Sequence, residues 1–253
     1  MKKNIKIFIS IILLAVLLLI GYLVANFITV NNTIKSMKAI PSGMVEDDIY
    51  LINNQFVSFY IVKGTTDNYI AIDAGNNNIL SAAAMKENNL DPNKVIAVFL
   101  THTDPDHTAG ISLFKNASVY ISKQEEDLIN GKKNRKFFKK NSLGHSYLLL
   151  SDNQVLDIDR IKIKCILTPG HTLGSMCYLI NDNYLFVGDT LSLINGKIGV
   201  FDPFFNMDTK TLKKSIKKIA TIPNVKIIFT AHYGFTEQQL TPKIAKGIAG
   251  SLN

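Results

Sequence analysis

From Ile7 to Ala25 the chain runs without a charged residue, and its apolar character persists to Val30. About 20 such residues cross a bilayer as a helix, so residues 7–30 are predicted to be a transmembrane signal anchor, preceded by a cytoplasmic N-terminus over residues 1–6. After a polar linker, residues 31–46, short apolar runs alternate with turn residues. Ile49 to Ile52, Phe56 to Val62 and Tyr69 to Ile72 read as strands, Ile79 to Lys86 as a helix, and Val95 to Leu100 as another strand. The theme repeats with strands near Ser118 to Ile121, Tyr147 to Leu150, Ile161 to Leu167, Ser175 to Ile180 and Tyr184 to Val187. A helix near Thr209 to Ala220, a strand from Val225 to Thr230 and a terminal helix from Thr236 complete the pattern. Strands and helices in both halves predict two packed sheets flanked by helices in one body, residues 47–253.

Charge bears first on orientation. Lys2, Lys3 and Lys6 precede the apolar span, which places the body outside the cytoplasm at the cell membrane, single-pass. A cleaved signal peptide, giving a secreted protein, is the competing reading; its apolar core is usually shorter, roughly 7–15 residues. The net charge of +8 is concentrated: five lysines lie in residues 1–40, and "KKNRKFFKK", residues 132–140, carries six basic residues. The rest is net acidic, which excludes a uniformly basic nucleic-acid binder. The basic run reads as a solvated loop or as a contact for anionic lipid or nucleic acid, with Phe137 and Phe138 as apolar anchors. Cys165 and Cys177 both sit in apolar strand-like stretches, where free buried thiols are expected and a disulfide is the alternative.

The chemistry sits where strands end. Val95 to Leu100 runs into "THTDPDH", Ile161 to Leu167 into "TPGHT", Tyr184 to Val187 into "GDT", and the strand ending at Phe229 into "TAHYG". Four of the chain's five histidines are used in this way. Loops held by a rigid scaffold carry chemistry, and imidazole with carboxylate suits zinc or iron.

These motifs together resemble the metallo-β-lactamase superfamily, whose signature HxHxDH is followed by a later His, an Asp and a final His. The resemblance covers residues 47–235 and implies a four-layered αββα sandwich. It further implies that His102, residue 104 and His171 form a first metal site, that Asp106, His107 and His232 form a second, and that Asp189 bridges them. Asp73 in "IDAG" matches an aspartate kept beside the ligands. Asp104 stands where the family has a second histidine. A carboxylate binds zinc at about the same distance as imidazole, roughly 2.0–2.2 Å, but it adds a negative charge and shifts preference towards harder ions. The HxDxDH form looks like that of competence-type DNA-internalisation proteins, whereas "TPGHTLGSMCYLI" and "LFVGDTL" look like glyoxalase II and general hydrolases.

The resemblance implies a hydrolase with two Zn²⁺ ions, Mn²⁺ or Fe²⁺ being alternatives, acting on an ester, lactone, thioester or phosphodiester of a small or anionic substrate. Asp106 is the expected proton carrier, and His145, Lys136 and Lys139 are candidate substrate contacts. Two other readings on this fold are a mononuclear non-haem iron oxygenase and a non-catalytic metal-binding receptor.

Overall fold

The computed structural model describes residues 2–37, 40–135 and 143–250. The chain divides after Met37 into two units. The first is helix α1 (Lys2–Ser36), of which Ile5–Ser36 is long and apolar enough to cross a membrane by length and composition. The linker expected over residues 31–46 is shorter than that. No Pro or Gly interrupts the chain between Gly21 and Pro41, so the helix continues through Ser36, and a strand has formed by Gly43.

In the second unit, seven strands lie side by side in chain order: β1 (Gly43–Glu46), β2 (Ile49–Asn54), β3 (Val57–Lys63), β4 (Tyr69–Ile72), β5 (Val95–Phe99), β6 (Ser118–Ser122) and β7 (Leu148–Leu150). The first four are an antiparallel meander; β4 to β7 run parallel. The other sheet takes β8 (Val155–Ile158), β9 (Ile161–Leu167), β10 (Met176–Ile180), β11 (Tyr184–Gly188), β14 (Ile227–Thr230) and β15 (Gly234–Thr236), in the order β15-β14-β11-β10-β9-β8. Between β11 and β14 lies a separate hairpin, β12 (Leu191–Ile194) and β13 (Lys197–Val200). Its Asn195 and Gly196 have φ of 53° and 75°, as a two-residue turn matched to strand twist requires.

Alternate residues of the central strands feed two different cores. Tyr60, Val62, Ile70, Ile72 and Phe99 meet Ile163, Cys165, Tyr178, Phe186 and Phe229 between the sheets. Phe59, Ile61, Ala71 and Val98 face the opposite way, onto Met85 of helix α2 (Asn78–Glu87) and onto Leu90. Burial on both faces is why these strands read as unbroken apolar runs. Helix α5 (Thr209–Ile219) buries Leu212, Ser215, Ile216 and Ile219, and it contacts α6 (Pro242–Gly250). The terminal helix therefore starts at Pro242, not at Thr236, because residues 234–236 pair with β14. Cys165 and Cys177 are both free and buried. Cys165 lies opposite Tyr178 and Cys177 opposite Ile166 in adjacent register positions, so their side chains point to opposite faces of the sheet.

Direction places the chemistry at one edge. Strands β9 and β11 are both antiparallel to β10, and β14 is parallel to β11, so the loops after all three leave one edge of their sheet. Parallel β4 and β5 likewise send their following loops to one edge of the first sheet. The two edges are tied together: Met176 N–H donates to the Thr101 carbonyl (2.8 Å), Ser58 N–H to the Ala231 carbonyl (2.7 Å), and the Tyr178 hydroxyl to the Leu100 carbonyl (2.6 Å).

Candidate metal centre

Seven side chains converge at this edge: His102, Asp104, Asp106, His107, His171, Asp189 and His232. All except Asp106 are buried. Their potential ligand atoms form three overlapping groups, His102 with Asp104 and His171, His102 with His107 and Asp189, and Asp106 with His107 and His232, each spanning less than 4.8 Å. The spacings suit an ion at the centre. His171 Nε2 lies 3.4 Å from Asp104 Oδ2 and 3.3 Å from Asp189 Oδ2, and His232 Nε2 lies 3.3 Å from Asp189 Oδ1 and 3.5 Å from Asp106 Oδ2. Tetrahedral bonds of roughly 2.0–2.2 Å put neighbouring ligands about 3.3–3.6 Å apart. Asp189 offers one oxygen towards His171 and the other towards His232.

Hydrogen bonding fixes the state of every imidazole. His107 Nδ1 is 2.9 Å from Asp73 Oδ2, His171 Nδ1 is 3.1 Å from Asn206 Oδ1, and His232 Nδ1 is 2.8 Å from the Phe56 carbonyl. These partners only accept, so each Nδ1 carries the hydrogen. The Thr101 hydroxyl gives its one proton to Asp73 (2.8 Å) and therefore accepts from His102 Nδ1 at 3.1 Å. All four rings thus turn Nε2 inward, with a lone pair free when the ring is neutral. His102 Nε2, His107 Nε2 and Asp189 Oδ1 are buried without a hydrogen-bond partner. Buried polar atoms seldom stay unsatisfied, and a divalent cation is a partner that such lone pairs accept. The donor set therefore fits a metal ion.

The surroundings hold the donors still. Asp73, at the end of β4 with φ 63°, accepts from the Thr101 amide (2.7 Å) as well as from His107. Gly188, just before Asp189, has φ +50°, and a Cβ there would lie 2.5 Å from Thr101 Oγ1, so only glycine lets β11 turn this close. Glu125, absent from the sequence reading, is buried and joins two loops: it accepts from the Thr103 amide (2.9 Å) and hydroxyl (2.8 Å), the Thr172 hydroxyl (2.7 Å) and the Gly174 amide (3.0 Å). Phe201, also buried, places its ring against His171 (5.0 Å) and His232 (5.6 Å).

One described member of the basic run departs from expectation, whereas Lys132 and Lys133 are exposed. Lys136 and Lys139 lie outside the described residues. Arg135, within the same run, is buried, not solvated. Its Nη2 donates to Asp104 Oδ2 at 2.6 Å and lies 3.3 Å from His171 Nε2, while Nη1 donates to the His171 carbonyl. Sequence reasoning missed this role; the available signal was an arginine in a run whose other basic residues are all lysines, one of two arginines in the chain. His145 is exposed and belongs to none of the ligand groups among the described residues.

Charge follows this layout. Burial opposes ionisation of Asp104, but His102, His171 and Arg135 hold its carboxyl well below the usual range. Asp189 is likewise held down against burial by His232, His107 and His171. Burial disfavours the charged form of His107 as well, yet Asp106, Asp73 and Asp189 raise it well above the ordinary value. His171 is lowered, by burial first.

Comparison with known proteins gives the same family. Residues 52–232 match the model of the metallo-β-lactamase superfamily. A probable metallo-hydrolase of Methanocaldococcus jannaschii is 32% identical over 155 residues, 61% of this chain and 65% of that protein. A probable polyketide biosynthesis zinc-dependent hydrolase of Bacillus subtilis is 38% identical over 98 residues, 38% of each chain. The chain thus spans less than two thirds of the length of either relative. Among solved structures, one described as the first B3 metallo-β-lactamase with an active-site glutamic acid superposes with a TM-score of 0.64, covering 86% of this chain and 90% of that one at 18% identity, a likeness of fold.

Proposed function

The chain belongs to the metallo-β-lactamase superfamily, and we propose that it is a metal-dependent hydrolase anchored in a membrane by α1, with its catalytic body outside the cytoplasm. The observation that carries the reading is the set of four imidazoles whose Nδ1 hydrogens are all engaged outward, leaving four Nε2 atoms turned towards the cluster that holds Asp104, Asp106 and Asp189. A scaffold without a ligand has no reason to leave His102 Nε2, His107 Nε2 and Asp189 Oδ1 buried without a partner. Asp106, His107, His232 and Asp189 would hold a divalent ion, Zn²⁺ in the first instance, as the likeness to a zinc-dependent hydrolase suggests. When bound, the ion supplies Lewis acidity: it lowers the pKa of a water and polarises a carbonyl or phosphoryl oxygen.

The chain's own residues do the rest. Asp106 turns Oδ2 towards His107 and His232 at 3.7 and 3.5 Å; it is the one donor of the seven that is not buried, so its other oxygen can orient the attacking water and carry a proton to the leaving group. Asp73 keeps His107 in the tautomer that presents Nε2. Phe201 and Phe56, the latter stacked on His232 at 5.9 Å, shield the histidines from bulk water. The substrate class we infer is an ester, lactone, thioester or phosphodiester.

The test is hydrolysis by the full-length chain in detergent micelles, stripped of metal and reconstituted with Zn²⁺ or Mn²⁺, against one representative of each bond. Metal-dependent turnover of at least one supports the reading; no turnover with any of them, in protein that retains metal, rejects it.

A further inference from the structure

Resting on the metal-dependent reading above, we propose that Arg135 occupies the place of the first metal, so that the protein carries one divalent ion per chain, on the His107 and His232 side, with a fixed guanidinium on the His171 side. Three observations lead there.

The first is position. Arg135 Nη2 lies 2.6 Å from Asp104 Oδ2 and 3.3 Å from His171 Nε2. Oδ2 is also the oxygen 3.5 Å from His102 Nε2. The guanidinium thus engages the carboxylate oxygen and the imidazole that a first-site ion would need.

The second is that the placement is built. Arg135 is 5% exposed, and its other terminal nitrogen donates to the backbone carbonyl of His171. A planar fork held at two points is not a lysine-like charge that drifts aside when an ion arrives.

The third is charge. On the His107 side, Asp106 and Asp73 face the imidazole and Asp189 is shared. On the other side the one private carboxylate, Asp104, already has a permanent cation against it. A second divalent ion there would bring two buried positive charges to a place whose private carboxylate already faces a cation, a large desolvation cost that the shared Asp189 would have to offset. Asp104 therefore serves as the seat of Arg135, which also explains why a carboxylate stands where the family has a neutral imidazole. The guanidinium, unlike an ion, offers N–H donors; it is fitted to hold a carbonyl, carboxylate or phosphate oxygen of the substrate.

The experiment counts metal. Full-length protein in detergent is incubated with excess Zn²⁺, desalted, and analysed for zinc per chain by mass spectrometry, alongside calorimetric titration of the metal-free form. Expected are one tightly held equivalent in the natural protein and in Arg135→Lys, and a second retained equivalent in Arg135→Met. Two tight equivalents in the natural protein overturn the proposal while leaving the metallohydrolase reading intact, and they do so even if Arg135→Met fails to fold. One equivalent in a folded Arg135→Met also overturns it. Absence of retained zinc in the natural protein overturns both readings together.

Discussion

The His107 and His171 sides of the donor cluster use the same side-chain types and the same way of fixing an imidazole, yet they differ in what faces them. His107 is backed by Asp73 and approached by Asp106 and Asp189, and its proton affinity is raised. His171 is backed by a neutral Asn206 and approached not only by Asp104 and Asp189 but also by Arg135, and burial first of all lowers its proton affinity. One scaffold edge thus carries an acidic pocket suited to a divalent cation beside a pocket that contains a cation of its own. Donor count alone does not decide how many ions a site takes; the permanent charges around the donors do.

The comparison can be broken most severely at the shared residue. Asp189→Ala removes the oxygens that face both sides, and turnover is expected to fall by at least about 10³-fold while far-ultraviolet circular dichroism stays unchanged; retained hydrolysis in metal-loaded protein would contradict its place as a ligand. Asp104→Ala acts on the Arg135 side alone. It strands a buried guanidinium, and a destabilisation of about 3–5 kcal/mol is expected in urea unfolding, with no comparable loss from Asp106→Ala, whose carboxylate is partly open to solvent. Asp73→Asn acts on the other side alone: tenfold to a hundredfold weaker metal binding is expected by competition with a chelator, with metal-independent stability less affected than in the Asp104 variant.

Acidity separates the two sides next. In the metal-free protein, His107 binds its proton more tightly than an unfolded histidine, whose value is 6.5. Its contribution to stability is therefore complete below pH 6.5 and is lost as pH rises through the raised folded value. Asp104 and Asp189, held below 3.8, contribute stability above that value and lose it as pH falls through their folded values. Metal binding must expel the His107 proton, so affinity rises with pH and protons are released on loading, a release readable with an indicator dye in weak buffer. The smallest effect concerns the thiols: Cys165 and Cys177, pushed up to about 12 and about 11 by burial, should react with a thiol reagent only after unfolding, with two thiols per chain whether or not reductant was present.

Much of this was legible in the chain. The donors stand out because strands buried on both faces are continuous apolar runs, and a polar residue directly after such a run marks the sheet edge. The hairpin of β12 and β13 was not read from the sequence, because strands of four residues are too short to register as periodic. Arg135 and Glu125 were not legible, for one physical reason. Each sits among like-charged neighbours, in "KKNRKFFKK" and "KQEEDL", where charge runs are ordinarily solvated, and only tertiary contacts distant in sequence bury Arg135 and Glu125. The Thr103 and Gly174 amides that Glu125 accepts from lie 22 and 49 residues away, a separation no local pattern encodes. Replacing it by Ala is expected to cost on the order of 3 kcal/mol from the donors left unpaired.

The central claim, that this edge holds a divalent ion between His107 and His232, is tested most directly by anomalous diffraction at the zinc absorption edge from crystals of metal-loaded protein. The account predicts one strong peak bonded to Asp106, His107, Asp189 and His232, with the Arg135 guanidinium still on Asp104. No peak within bonding distance of His107 Nε2 and His232 Nε2 would contradict it.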